Sequence, residues 1–367
     1  MENYLQLYKD ILKQVKDEVK KLTTKQEDLL NAEQNIITIK DNTSQILNIL
    51  KEIYEQPIIK KNIQSLNKVM EIEQKTYISS VIELNDLRIA TGDYGGKISI
   101  YSIDYEKEQW KINTELKGHN GYISSLYELN GNKLISGSFD KTIKVWKINN
   151  NTLTLTNTLD GHNESVYQVI SLSNNVIASG SNDYTIRIWD INSNKEIHSL
   201  KEDFIVFSLL KLKNKNVLAS SGKGEKITFW NTNTFAKEHS VGCCNCSSSN
   251  GLIELPNHYI AVSGGLSTSI DIIDTDNYQL FKQIECNDYI ISSGVYYSSL
   301  HLLNNETFIY SHNGCFCQVS TNEYEIVFKV KMEDEFEGAT VISSSNDKYV
   351  VASNNKKGVS IFKIKFI

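Results

Sequence analysis

Two hydrophobic periods divide the chain. Over residues 1–56 apolar side chains recur at helical spacing. With Leu5 as an a position, the a series runs Leu5, Leu12, Val19, Leu47 and Tyr54. The d series runs Tyr8, Val15, Leu22, Leu29, Ile36 and Leu50. A seam of this kind predicts an α-helical arm. Gln26, Glu33 and Lys40 fall on a positions and weaken its middle. Thr24-Lys25-Gln26-Glu27 has the form of a capping box, and Asp41-Asn42-Thr43-Ser44 marks a second break. Pro57 ends the helical pattern. Two arrangements fit: a coiled coil between copies, or a hairpin that folds back on itself or on the rest of the chain. Residues 1–66 hold ten lysines and ten acidic residues, so the arm is neither a basic nor an acidic tail.

After a linker at 57–67, the period changes to two from about residue 68. Short β-rich runs alternate with Asn, Gly, Asp and Ser turns. The pattern repeats. Leu134-Ile135-Ser136-Gly137-Ser138-Phe139-Asp140-Lys141-Thr142-Ile143-Lys144-Val145-Trp146 parallels Ile177-Ala178-Ser179-Gly180-Ser181-Asn182-Asp183-Tyr184-Thr185-Ile186-Arg187-Ile188-Trp189. Trp146 and Trp189 lie 43 residues apart, and each follows a Gly-His pair, Gly118-His119 or Gly161-His162, with 27 residues from His to Trp. Tyr101, Trp230, Ile273, Val319 and Phe362 hold the same slot at intervals of 41 to 46 residues. That makes seven units, a period that signals a propeller or solenoid.

These residues resemble the WD-repeat family, and Trp189-Asp190 supplies its namesake dipeptide. The resemblance implies an all-β, seven-bladed WD-repeat β-propeller over 68–367, preceded by the helical arm. It also implies that an N-terminal strand, at 68–75, completes the last blade and removes a sheet edge. In the family a His, a Ser or Thr, an Asp and a Trp form a hydrogen-bonded chain in each blade. His119, Ser136, Asp140 and Trp146 match that set, as do His162, Ser179, Asp183 and Trp189. A His-Asp-Ser grouping suggests a hydrolase in isolation, but two copies at the repeat spacing point to the fold. Units four to seven lack the full set and are expected to rely on apolar packing.

Composition narrows the function. Only Arg88 and Arg187 are arginines among 38 basic residues, and the net charge is −6, which argues against nucleic-acid recognition. No apolar run is long enough for a membrane helix. The six cysteines, Cys243, Cys244, Cys246, Cys286, Cys315 and Cys317, are expected as reduced thiols of a cytoplasmic protein, with the nucleus not excluded. Cys243-x-x-Cys246 has zinc-like spacing, but no His completes a ligand set, so neither metal nor cofactor is expected. No phosphate loop, nucleophile elbow or zinc-helix motif is present, and no catalytic residue is assigned.

The resemblance implies a non-catalytic scaffold or adaptor that binds protein or peptide partners. In such propellers partners dock where the first strands begin and the second-to-third-strand turns end. Aligning the units places Tyr77, Tyr94, Tyr122, Phe139, Tyr167 and Phe207 there. Aromatic side chains bury much area at little rotamer cost, which suits them as anchors. Self-association would run through residues 1–56. The alternative is a substrate-recognition or targeting subunit of a larger assembly, such as a ubiquitin ligase, recruited through the arm. Trp189-Asp190-Ile191-Asn192 departs from the ligase-adaptor motif at its last position, where that motif has Arg.

Overall fold

A strand with period-two alternation buries one face and must find a second layer to cover it. Here each sheet is covered by its neighbours in a ring. The structure, a computed structural model, describes residues 63–129, 132–243, 251–264, 269–285, 298–312, 315–331, 341–344, 348–354 and 358–366. The expected helical arm and its coiled coil lie outside the described residues. The described strands form seven four-stranded antiparallel sheets. Blade 2 shows the plan. Its strands are Ile123–Leu129, Lys133–Ser138, Ile143–Asn149 and Thr152–Leu159, hydrogen-bonded in that order from the first strand to the outermost. The chain is a seven-bladed β-propeller.

Six blades take four consecutive strands. The seventh takes its outer strand from the start of the described chain: Ile63–Glu73 pairs antiparallel with Gly358–Phe366. This strand begins at Ile63, five residues before the expected Lys68 and inside the stretch read as linker, and it ends at Glu73. Ile63 is 2% exposed and packs with Leu303, Phe316 and Ile364. Its backbone N–H donates to Gln318 Oε1 in blade 6 at 2.8 Å. Register shifts between Ile63 and Ser65 and between Lys68 and Met70 break the alternation, which hid the strand's first half.

The core sits between blades. Leu129, Ile135 and Val145 of blade 2 pack with Val166, Ile177 and Trp189 of blade 3. The glycine of each Ser-Gly-Ser run permits this closeness. A Cβ on Gly137 would stand 2.9 Å from Val166 Cγ1, and one on Gly180 would stand 2.6 Å from Val206 Cγ1. In blades 1 to 6 the pairing of the third strand with the outer strand shifts register just before the Trp slot, at Val145/Trp146 in blade 2 and Ile188/Trp189 in blade 3. The bulge turns the outer strand without breaking the sheet.

Candidate functional site: an aromatic arc across blades 1 to 4

The turns of one face are fixed by hydrogen bonds that start deep in the blades. In blade 2 the buried Trp146 donates from Nε1 to Ser136 Oγ at 2.8 Å. Ser136 Oγ, having accepted that bond, donates to His119 Nε2 at 2.6 Å. His119 Nδ1–H then donates to Asp140 Oδ2 at 2.9 Å. Asp140 also accepts from the backbone N–H of Asn120 and Thr142 and from Thr142 Oγ1, which locks the turn after Phe139. Blade 3 repeats the chain. Trp189 donates to Ser179 (2.8 Å), Ser179 meets His162 (2.7 Å), and His162 meets Asp183 (2.8 Å). Gly118 and Gly161 are required beside these sets. A Cβ on Gly118 would lie 2.5 Å from Trp146 Cη2, and one on Gly161 would lie 2.9 Å from Trp189 Cη2.

Burial would raise the Asp140 and Asp183 carboxyls, but bonds from His119 and Thr142, or His162 and Thr185, outweigh it. Both acids are held well below the usual carboxylate range. The sign follows by linkage. A depressed folded pKa contributes stability that is fully present above the unfolded value, about 4, and is lost as pH falls below it. The expected outcome is acid destabilisation that begins below about pH 4. The Asp140→Asn/Asp183→Asn protein should be less stable at pH 7 and should lose less on acidification. Thermal melts at pH 7, 4 and 3 check it.

Blade 4 departs from the expectation of apolar packing. Glu202 stands in for the missing His and Asp. Its Oε1 accepts from Ser220 Oγ at 2.6 Å and from Trp230 Nε1 at 3.1 Å, and its Oε2 accepts from Thr228 Oγ1 at 3.2 Å. Trp230 Nε1 also reaches Ser220 Oγ at 3.1 Å. Desolvation raises the Glu202 carboxyl, against the bonds from Ser220, Trp230 and Thr228. A raised folded pKa favours the fold below the unfolded value, and that contribution is lost as pH rises through the folded one. Glu202→Gln should therefore be nearly neutral at pH 7, because it keeps an acceptor and loses the buried charge. Glu202→Ala should cost about 1–3 kcal/mol by removing the acceptor that Ser220, Thr228 and Trp230 share. Urea unfolding of the two proteins separates these outcomes.

Blade 1 uses another substitution. Gln74 Nε2 bonds Tyr101 Oη, and Lys97 Nζ reaches Gln74 Oε1 at 3.1 Å. Blades 4 to 6 add a device at the rim that the repeat pattern did not disclose. Phe235, Tyr278 and Tyr324 occupy turns with positive φ. Their rings lie 4.2, 4.0 and 5.6 Å from His198, His239 and Phe281 on the preceding blade's outer strand. An aromatic residue with positive φ is uncommon, and here ring packing to the neighbouring blade holds each one.

On this frame the six aromatics singled out in the sequence form one continuous arc. Tyr77 and Tyr94 are 5.8 Å apart between ring centroids, and Tyr94 and Tyr122 stack at 4.3 Å. Tyr122 and Phe139 are 5.2 Å apart, Phe139 and Tyr167 5.2 Å, and Tyr167 and Phe207 4.6 Å. The arc crosses blades 1, 2, 3 and 4. Tyr77 and Tyr122 are 45% and 43% exposed, and the other four are half-buried. Backbone bonds pin the pairs: Tyr94 N–H donates to Tyr77 O and Phe139 N–H to Tyr122 O, each at 2.9 Å. Ser79 and Ser124, between the rings in sequence, donate to Ile123 O (2.7 Å) and Val166 O (2.6 Å) of the next blade. Their hydroxyls stitch blades together, so rings dominate the surface.

The family model described as WD domain, G-beta repeat matches residues 110–147 and 153–190. These two stretches are WD40 repeats. Each starts within the outer strand of one blade and ends in the third strand of the next, so a repeat joins two blades. No curated protein matches the chain.

Other features add no second site. Among the described residues no group of three His, Cys, Asp or Glu side chains is placed to hold a metal. No helix there is long and apolar enough to cross a membrane. Cys243 is buried and disulfide-bonded, so the expectation of reduced thiols fails for it.

Proposed function

We propose that this chain is a non-catalytic scaffold whose aromatic arc docks a protein or peptide segment, with residues 1–56 mediating self-association. The WD40 propeller is a fold typical of protein-interaction scaffolds and is generally non-catalytic. The observation that carries the reading is the unbroken run of six rings, Tyr77 to Phe207, on blades 1 to 4. Six rings exceed what closing the blade tips needs, since hydrogen-bonded sets already hold those turns. Exposed, rigid aromatics over a braced backbone match the usual anatomy of an interface centre. The two His-Asp-Ser sets support a structural reading: each Ser Oγ is occupied by a Trp donor and an imidazole, and each is buried. No hydroxyl there is presented to a substrate.

The test is affinity capture of full-length protein followed by mass spectrometry, wild type against Tyr122→Ala/Phe139→Ala/Tyr167→Ala. The variant must first show an unchanged melting temperature. Loss of specific partners by about 100-fold or more is expected, as for removal of several central anchors. An unchanged partner set would refute the arc and point to residues 1–56.

A further inference from the structure

Blade 3 breaks the pattern of the arc. The backbone bond that joins the rings Tyr122 and Phe139 in blade 2 joins Ser165 and Asn182 in blade 3, where Asn182 N–H donates to Ser165 O at 2.9 Å. Two small polar residues stand where blade 2 carries rings. The rings of blade 3 lie to either side, each two residues along. Tyr167 is inward, in the first strand, Val166–Ser171, and Tyr184 is outward, in the turn that leads to the third. Two residues span at most about 7 Å of chain, so a polar floor lies close to two phenols.

The side chain of Tyr184 has no structural task. Its turn position has positive φ (65°), as do the matching Gly96 (81°), Lys141 (75°) and Glu225 (49°). The carbonyls of Gly96, Tyr184 and Glu225 accept the N–H of His119, Glu202 and Cys243, a backbone duty that any residue can perform. Lys141 adds side-chain bonds to Asn163 O and Glu164. Phe235, Tyr278 and Tyr324 share positive φ but pack on neighbouring rings. Tyr184 is 49% exposed, and its side chain makes no ring contact or hydrogen bond among the described residues. A bulky residue in the left-handed region without compensating contacts marks a functional position. The half-buried Asn182 carboxamide also makes no hydrogen bond among the described residues. Asp183, between them, has both oxygens taken by His162, Asn163 and Thr185.

We infer that Asn182, Tyr167 and Tyr184 form a notch that holds the main chain of an extended peptide segment. A carboxamide carries a donor and an acceptor side by side, the complement of a peptide unit's C=O and N–H. The three side chains carry no charge and the one acid between them is occupied, so the notch favours main chain over a charged group. Successive side chains of an extended segment point to opposite sides. One therefore meets Tyr167 and the next Tyr184, while the peptide unit between them lies on Asn182. Tyr167 belongs to the arc, so the inference rests on the proposed function and adds main-chain recognition to it.

Selection of random linear peptides, displayed on phage, against the full-length protein tests the notch. The enriched peptides are then synthesised and titrated against wild type, Asn182→Ala, Tyr184→Asn and Tyr122→Ala/Phe139→Ala. Asn182→Ala and Tyr184→Asn should each weaken binding about tenfold. Asn tolerates the left-handed region, so Tyr184→Asn should melt at or above the wild-type temperature while binding less well. Asn182→Ala removes no bond within the chain and should melt like wild type. A side chain kept for stability alone would not show this split. Peptides that depend on Tyr122 and Phe139 but bind both notch variants like wild type would overturn the notch and leave the arc standing. Peptides indifferent to all three variants, or no enriched peptide, would overturn the notch and the arc together.

Discussion

Replacing Ile72 with Asp is expected to open the ring. Ile72 is fully buried in the closing strand, opposite Val359, and packs among Ile78, Val81, Val359 and Ile361. It therefore joins the last blade to the first. The substitution loses a buried aliphatic side chain, worth about 2–5 kcal/mol, and strands a carboxylate in a cluster of hydrophobic side chains. A total on the order of 5 kcal/mol or more approaches the whole stability of an ordinary domain. Thermal unfolding should show a drop of many degrees or no cooperative transition. Ile72→Val, which removes one methyl group, should cost about 1 kcal/mol. If Ile72→Asp melted like wild type, closure by Ile63–Glu73 would not hold the ring.

The second large effect is expected at Ser136. This hydroxyl is fully buried and serves two neighbours at once, accepting from Trp146 and donating to His119. Ser136→Ala leaves the indole N–H and the imidazole Nε2 unsatisfied together. Each stranded group costs about 1–3 kcal/mol, so a loss of about 2–6 kcal/mol is expected. Trp146→Phe removes one of the stranded groups along with ring volume. In the double variant Ser136→Ala should cost about 1 kcal/mol less than it does alone, because residues in one network do not act additively. Urea unfolding of the four proteins of the cycle measures this coupling. Strict additivity would mean that Ser136 does not join the two rings.

The parts of the fold that were legible in the sequence are those where chemistry repeats. Trp146 and Trp189, with their His, Ser and Asp partners, recur because a buried indole and imidazole must be satisfied in the same way in each blade. The spacing of Tyr101, Ile273, Val319 and Phe362 located the other third strands although their side chains differ. Glu202 escaped notice because the same physical need was met by a different residue: one carboxylate with two oxygens replaces an imidazole and its acid. The first half of the closing strand escaped because two register shifts erased the alternation that marks a strand. Phe235, Tyr278 and Tyr324 escaped because their partners lie on the preceding blade, beyond the reach of a local pattern. The arc was legible as positions, since alignment by the Trp slot put six aromatics on one face. The contacts that make them continuous depend on blade-to-blade distance, which no single repeat encodes.

Partners are proposed to meet the protein at this arc. Site-specific photo-cross-linking in the full-length chain tests it most directly, with the photoreactive side chain placed at Tyr122, at Phe207 or at the exposed rim residue Phe281. Positions 122 and 207 are expected to capture the same partner, and position 281 is expected not to. Capture of that partner from position 281 alone, or equally from all three, would contradict it.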